Sequence, residues 1–90
     1  MDKARVKERL IELSGRRRHI RFREIETLLD NHIGPLYPGY NHHGKPHHAF
    51  TVGEHTFNIA EPRKGEFVKK CYDDNFFRVM EATGWYEPET

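Results

Sequence analysis

The stretch from Gly44 to Pro62 most constrains what this chain can fold into. Residues 47–52 and 55–60 are two short runs rich in β-branched and aromatic residues. Gly53-Glu54 separates them, with glycine first, as a two-residue type II′ hairpin loop requires. That loop sets a register: Val52 opposite His55, Phe50 opposite Phe57, His48 opposite Ile59 and His47 opposite Ala60. Side chains alternate faces along a strand, and opposed residues share a face. One face therefore carries His48, Phe50, Val52, His55, Phe57 and Ile59, apolar enough to take helices. The other carries His47, Ala49, Thr51, Thr56, Asn58 and Ala60, polar enough to stay open. His47 is displayed at its rim.

The rest of the chain supplies covers for that apolar face. Val6, Leu10 and Leu13 recur at helical spacing over residues 2–14, with Ile11 beside them and Asp2 as an N-cap. A second helix is expected at about 21–32, with Phe22, Ile25, Leu28, Leu29 and His32 as its apolar stripe, stopped by Gly34-Pro35. A last helix is expected at about 68–83, where Val68, Tyr72, Phe76, Val79, Met80 and Thr83 recur at three and four. Gly84 is its C′ residue. Between Pro35 and Pro46 the prolines and glycines break any helix. Leu36, Tyr37 and Tyr40 suit an irregular edge strand, with Asn41, His42 and His43 leading into the hairpin. The tail from Glu87 to Thr90 is polar and expected to fray.

Helix, helix, strand, strand, strand, helix is an α+β order. Its economical packing is a small three-stranded antiparallel sheet with helices on one face. Ninety residues suffice for one such domain, and 12% aromatic residues can fill its core. No apolar run approaches a membrane span and no signal-peptide pattern opens the chain. The single cysteine, Cys71, allows no intrachain disulfide and fits a cytoplasmic protein.

The net charge of +1 does not announce a nucleic-acid binder, but the charge is uneven. Residues 1–45 hold ten Lys/Arg against six Asp/Glu, and residues 46–90 hold five against eight. Arg16, Arg17, Arg18, Arg21 and Arg23 form one basic cluster. Arg63, Lys64, Lys69 and Lys70 form another, at the start of the last helix, where a phosphate is well received. Either group also reads as a solvated face.

Five of the seven histidines, His42, His43, His47, His48 and His55, fall within fourteen residues. A metal site is one reading. Against it, no second cluster of cysteines or paired carboxylates accompanies them, and His47 and His48 point to opposite faces. No metal ligand and no cofactor is therefore assigned. Acid–base catalysis is another reading, because histidine titrates near neutrality. RNA is cleaved without metal when a base takes the 2′-hydroxyl proton and that oxygen attacks the adjacent phosphorus. An acid then protonates the leaving 5′-oxygen, and nearby cations offset the charge on the phosphate. His47 on an open face, with Lys45 beside it, has the parts for this. The bland alternative is an exposed strand residue at His47 and a packing histidine at His48.

The residues also resemble a family. Arg21-Phe-x-Glu-Ile-x-x-Leu-Leu29 on a helix is followed by His47-His48-x-Phe50 on a strand. A second strand then ends in a proline, and after it come a basic stretch, Val68-Lys69, Tyr72 and an aromatic helix ending at Gly84. This resembles the HicA-type toxins, small mRNA interferases of type II toxin–antitoxin systems. The resemblance covers roughly residues 20–85, and residues 1–19 look like an N-terminal helical extension. It implies a fold similar to the double-stranded-RNA-binding domain and metal-independent endoribonuclease activity on mRNA. It also implies neutralisation by a HicB-type antitoxin. The family's catalytic histidine falls on His47, with His48 assisting or orienting it. Lys45, Arg63, Lys64, Lys69 and Lys70 would hold RNA phosphates. The sequence departs from the family's Gly-Ser-His hallmark, since Lys45-Pro46 stands where Gly-Ser is usual. The alternatives are a non-catalytic RNA-binding module of the same fold and a histidine-rich metal-binding protein.

Overall fold

The computed structural model describes residues 1–88, so the last two residues of the expected fraying tail lie outside the described residues. Among the described residues there are three α-helices and three strands: α1 (Lys3–Ser14), α2 (Phe22–Thr27), β1 (Asn41–His43), β2 (His47–Val52), β3 (His55–Ala60) and α3 (Lys70–Ala82). The sheet is antiparallel with order β1-β2-β3. This is the expected α+β architecture, compatible with a double-stranded-RNA-binding-domain-like fold.

The hairpin register is the one that Gly53-Glu54 implies. Val52 pairs with His55, Phe50 with Phe57, His48 with Ile59 and His47 with Ala60. Gly53 opens the loop at φ +60°, a value that side-chain-bearing residues rarely adopt. Face alternation follows. His48, Phe50, Val52, Phe57 and Ile59 are buried under the helices, whereas His47, Thr56 and Asn58 are exposed. His55, at the turn, is exposed although it has covered-face parity.

Each helix adds buried side chains to the core on that side. In α1, Asp2 caps the first turn by accepting from the Arg5 N–H at 2.9 Å, and Val6, Leu10 and Leu13 are buried. Burying each such side chain contributes roughly 1.5–3 kcal/mol. Ile11 stays 59% exposed. α3 buries Phe76, Phe77, Val79 and Met80, and Asp73 with them. It ends in a Schellman cap: the Trp85 N–H bonds the Met80 carbonyl at 2.9 Å and the Gly84 N–H bonds the Glu81 carbonyl at 3.1 Å.

Two expectations need correction. The second helix is not uniformly α. After Thr27 it widens into a π-helical turn over Leu28–Ile33, then tightens to a 3-10 turn over Gly34–Leu36. An α-helix sets residues five apart about 140° around its axis, which would split Leu28 from Ile33. The wider π turn, closed by the Gly34 N–H on the Leu29 carbonyl, lets Leu28, Leu29 and Ile33 all be buried. Ile33, rather than His32, completes the stripe.

The edge strand lies later than expected. Leu36, Tyr37 and Tyr40 precede it, and β1 consists of Asn41, His42 and His43. Tyr40 packs against Gly34, where a Cβ would lie 2.6 Å from the tyrosine ring. The aromatic ring thus needs Gly34, and the chain turns back into the sheet only after it. His42 pairs with Phe50, which puts His42 on the covered face.

Candidate functional site

His47 begins β2 on the open face and is exposed. Its strand partner Ala60 lines a cleft of about 390 Å³ beyond the end of β3. Arg63, Lys69 and Tyr72 line that cleft too, together with the carboxylates Glu61 and Glu66. The Glu61 N–H bonds the Pro46 carbonyl at 2.7 Å, which fastens the cleft wall to the residue preceding His47. Two of the expected phosphate cations, Arg63 and Lys69, therefore meet beside the strand end that carries His47. Lys69 is also the N-cap residue of α3, so it stands at the positive end of that helix.

The other expected cations are dispersed. Lys64 turns toward α2, sharing a larger cleft with Arg9, Arg21 and Arg23. Lys70 is committed to Asp74 at 2.7 Å. That bond, with help from Arg17, holds the Asp74 carboxyl below its usual range. Lys45 is exposed in the turn before β2, where the Lys45–Pro46 peptide is cis.

Much of the arginine cluster is occupied within the molecule. Arg16 bonds Glu12 at 2.5 Å and Glu24 at 2.6 Å. Glu24 also takes Arg9 at 3.1 Å and the Arg21 N–H at 2.8 Å. These bonds, Arg16 foremost, hold the Glu24 carboxyl below its usual range. Arg17 reaches Asp74 at 3.0 Å and lies over the Phe77 ring, while Arg21 lies over Phe67. These residues tie α1, the loop after it, α2 and α3 together rather than forming a free phosphate patch.

His48 lies on the opposite side of the sheet from His47 and is 1% exposed. It cannot touch a substrate there. Its Nε2 is 3.0 Å from Glu61 Oε1, and its Nδ1 is 2.8 Å from His42 Nε2. His42 Nδ1 in turn faces both oxygens of Asp30 at 3.0 Å, and Asp30 accepts from the Tyr40 hydroxyl at 2.6 Å. Burial, then the Asp30 bond, pushes the Tyr40 hydroxyl well above its usual range, so it stays a donor. A polar chain thus runs from Tyr40 through Asp30, His42 and His48 to Glu61. Phe22 and Phe50 wall it, with ring centroids 4.4 Å from His48 and 4.1 Å from His42 respectively. Because Glu61 also lines the cleft, His48 reaches the His47 side of the molecule only through that carboxylate.

Sequence reasoning had no role for Asp30, Glu61 or Glu26. Two signals existed. Glu26 and Asp30 are four apart on one helical face, and β1 parity would have aligned His42 with His48. The second depended on placing β1.

No protein-family profile, curated protein or solved structure matches this chain. Among the described residues, no helix is long and apolar enough to cross a membrane.

Proposed function

We propose that this protein is a histidine-dependent endoribonuclease, an mRNA interferase of the HicA kind. The observation that carries the reading is the placement of exposed His47 beside a cleft holding Arg63 and Lys69. A phosphodiester seated in the cleft would be charge-paired by these two cations. His47 would take the 2′-hydroxyl proton, and the 2′-oxygen would then attack phosphorus. The P–O5′ bond breaks, and a proton passes to the leaving oxygen. The products are a 2′,3′-cyclic phosphate and a free 5′-hydroxyl. Cations near the developing phosphorane charge supply electrostatic stabilisation, and proton transfer by a positioned histidine supplies roughly 10²–10⁴-fold.

His48 serves as a positioning residue in this reading, because it holds Glu61 at the cleft wall. Lys45 and Lys64 contact RNA backbone further from the reacting phosphate. An antitoxin of the HicB type would inhibit most directly by covering the open sheet face around His47. Cytoplasmic mRNA is the proposed target.

The test is induced expression of wild-type and His47→Ala protein, with growth and total RNA followed in parallel. Growth arrest and RNA loss in the wild type alone is the expected result. Arrest that survives His47→Ala refutes the assignment. Normal growth with intact RNA in both, alongside salt-dependent RNA binding by the purified protein, would favour a non-catalytic RNA-binding module.

A further inference from the structure

The polar chain on the covered face brings two imidazoles together with a carboxylate behind each. Asp30 faces His42 Nδ1 at 3.0 Å and Glu61 faces His48 Nε2 at 3.0 Å. The other two ring nitrogens, His42 Nε2 and His48 Nδ1, meet across 2.8 Å. The Glu26 carboxylate adds a third electron-pair donor. One atom from each of Glu26, His42 and His48 lies within 4.8 Å of the others. The Glu26 carboxylate takes part in no ion pair or side-chain hydrogen bond among the described residues. Two imidazoles and a carboxylate, from three different elements, thus converge in one part-buried place with ligand atoms close enough to share a cation.

A hydrogen bond between the two rings leaves Glu26 outside. A divalent ion serves all three. We propose that Glu26, His42 and His48 form a binding site for a divalent transition ion of the zinc type, with Asp30 and Glu61 fixing the two imidazoles from behind. Two histidines and one carboxylate are a donor set that zinc accepts, and a carboxylate on the far ring nitrogen is what orients a metal-bound histidine. Here both rings have that support. Zn–N bonds of about 2.0–2.1 Å at a tetrahedral angle put two ligand nitrogens about 3.3 Å apart. The rings would therefore part by about 0.5 Å and turn so that both nitrogens face the ion.

The three donors come from α2, β1 and β2, so the ion would staple the helix layer to the short edge strand. It lies on the covered face, and His47 does not contact it. The inference is thus independent of the ribonuclease reading, and transesterification at His47 is not routed through the ion.

The test uses the untagged full chain, stripped with chelator and titrated with Zn²⁺ by calorimetry. Co²⁺ is used in parallel, for its visible absorption. The expected result is one ion per chain, a tetrahedral-type Co²⁺ spectrum and a rise in Tm. Glu26→Gln and His42→Gln should each weaken binding by ~10-fold or more, whereas a His43→Ala/His55→Ala variant should bind as the wild type does. Glu26 is part-exposed on a helix, so Glu26→Gln tests the site even if His42→Gln fails to fold. Absence of Zn²⁺ binding in the folded wild type overturns the proposal and leaves the contact between the rings as a hydrogen bond. Binding that survives Glu26→Gln but is lost with His43 and His55 also overturns it, since surface histidines then hold the ion. RNA is absent from these measurements, so their outcome is read separately from the fate of the ribonuclease assignment.

Discussion

His47 and His48 are neighbours in the chain, yet the sheet gives them opposite environments. His47 stands in solvent on a face of small and polar residues, beside a cleft with two cations. His48 is 1% exposed, stacked among aromatic rings and bonded at both ring nitrogens. The contrast separates two uses of one side chain. An exposed imidazole can exchange protons with a substrate but contributes little to packing. A buried imidazole with both nitrogens engaged holds other groups in place, and its loss is felt as stability. The open face is thus free to change chemically without unfolding the protein, and the covered face is not.

The strongest way to break this contrast is to delete each histidine in turn. His47→Ala should lower RNA cleavage by roughly 10²–10⁴-fold while shifting folding stability by less than about 0.5 kcal/mol. A purified-enzyme assay with urea denaturation of the same samples checks both halves. His48→Ala should do the reverse in stability, costing about 2–4 kcal/mol. It empties a buried site and strips partners from His42 and Glu61. A midpoint in urea no lower than that of the wild type would contradict the structural role.

Asp73 sharpens the comparison from within the core. Like His48 it is a buried polar group, but its partners are incomplete. Oδ2 accepts the Arg18 N–H at 3.2 Å, while Oδ1 has no partner. Burial pushes its carboxyl up to about 6, with the Asp74 charge adding to the shift and the Arg18 bond opposing it. The folded chain therefore binds this proton more tightly than the unfolded chain does. Asp73's contribution to stability is full below about pH 4 and is lost as pH rises through about 6, by roughly 3 kcal/mol. Glu24 and Asp74, both held low, act in the opposite sense and lose their contribution as pH falls below the usual carboxylate range. The difference between wild type and Asp73→Asn isolates the term. The variant should be relatively more stable at pH 7 than at pH 4, and a constant difference across that range would refute the assignment.

The smallest effects belong to the cations. Arg63→Ala and Lys69→Ala should each weaken RNA binding by about 1 kcal/mol or less at moderate salt and lower the salt slope by about 1. Lys70→Ala should do less, because Asp74 already occupies Lys70. Filter binding at several salt concentrations separates them, and equal slopes for all three variants would remove Lys69 and Arg63 from the phosphate site.

Some of this was legible from local pattern alone. Strand alternation and a glycine-led loop depend on near neighbours, so the pairings of His47 with Ala60 and of His48 with Ile59 could be written down in advance. Helical spacing likewise marked Val6, Leu10 and Leu13, and most of the α3 stripe. The π turn was not legible, because it reflects a tertiary demand to bury Leu28, Leu29 and Ile33 together. With it went the position of β1.

The chain by itself determined which histidine faces water and which faces the helices, since that is a matter of parity within one hairpin. Only the tertiary structure decided what His48 meets. Glu26 arrives from α2, Asp30 from the π turn after it, His42 from β1 and Glu61 from just beyond β3. Their meeting depends on how the helix layer settles on the sheet, a long-range packing outcome that no spacing along the chain encodes.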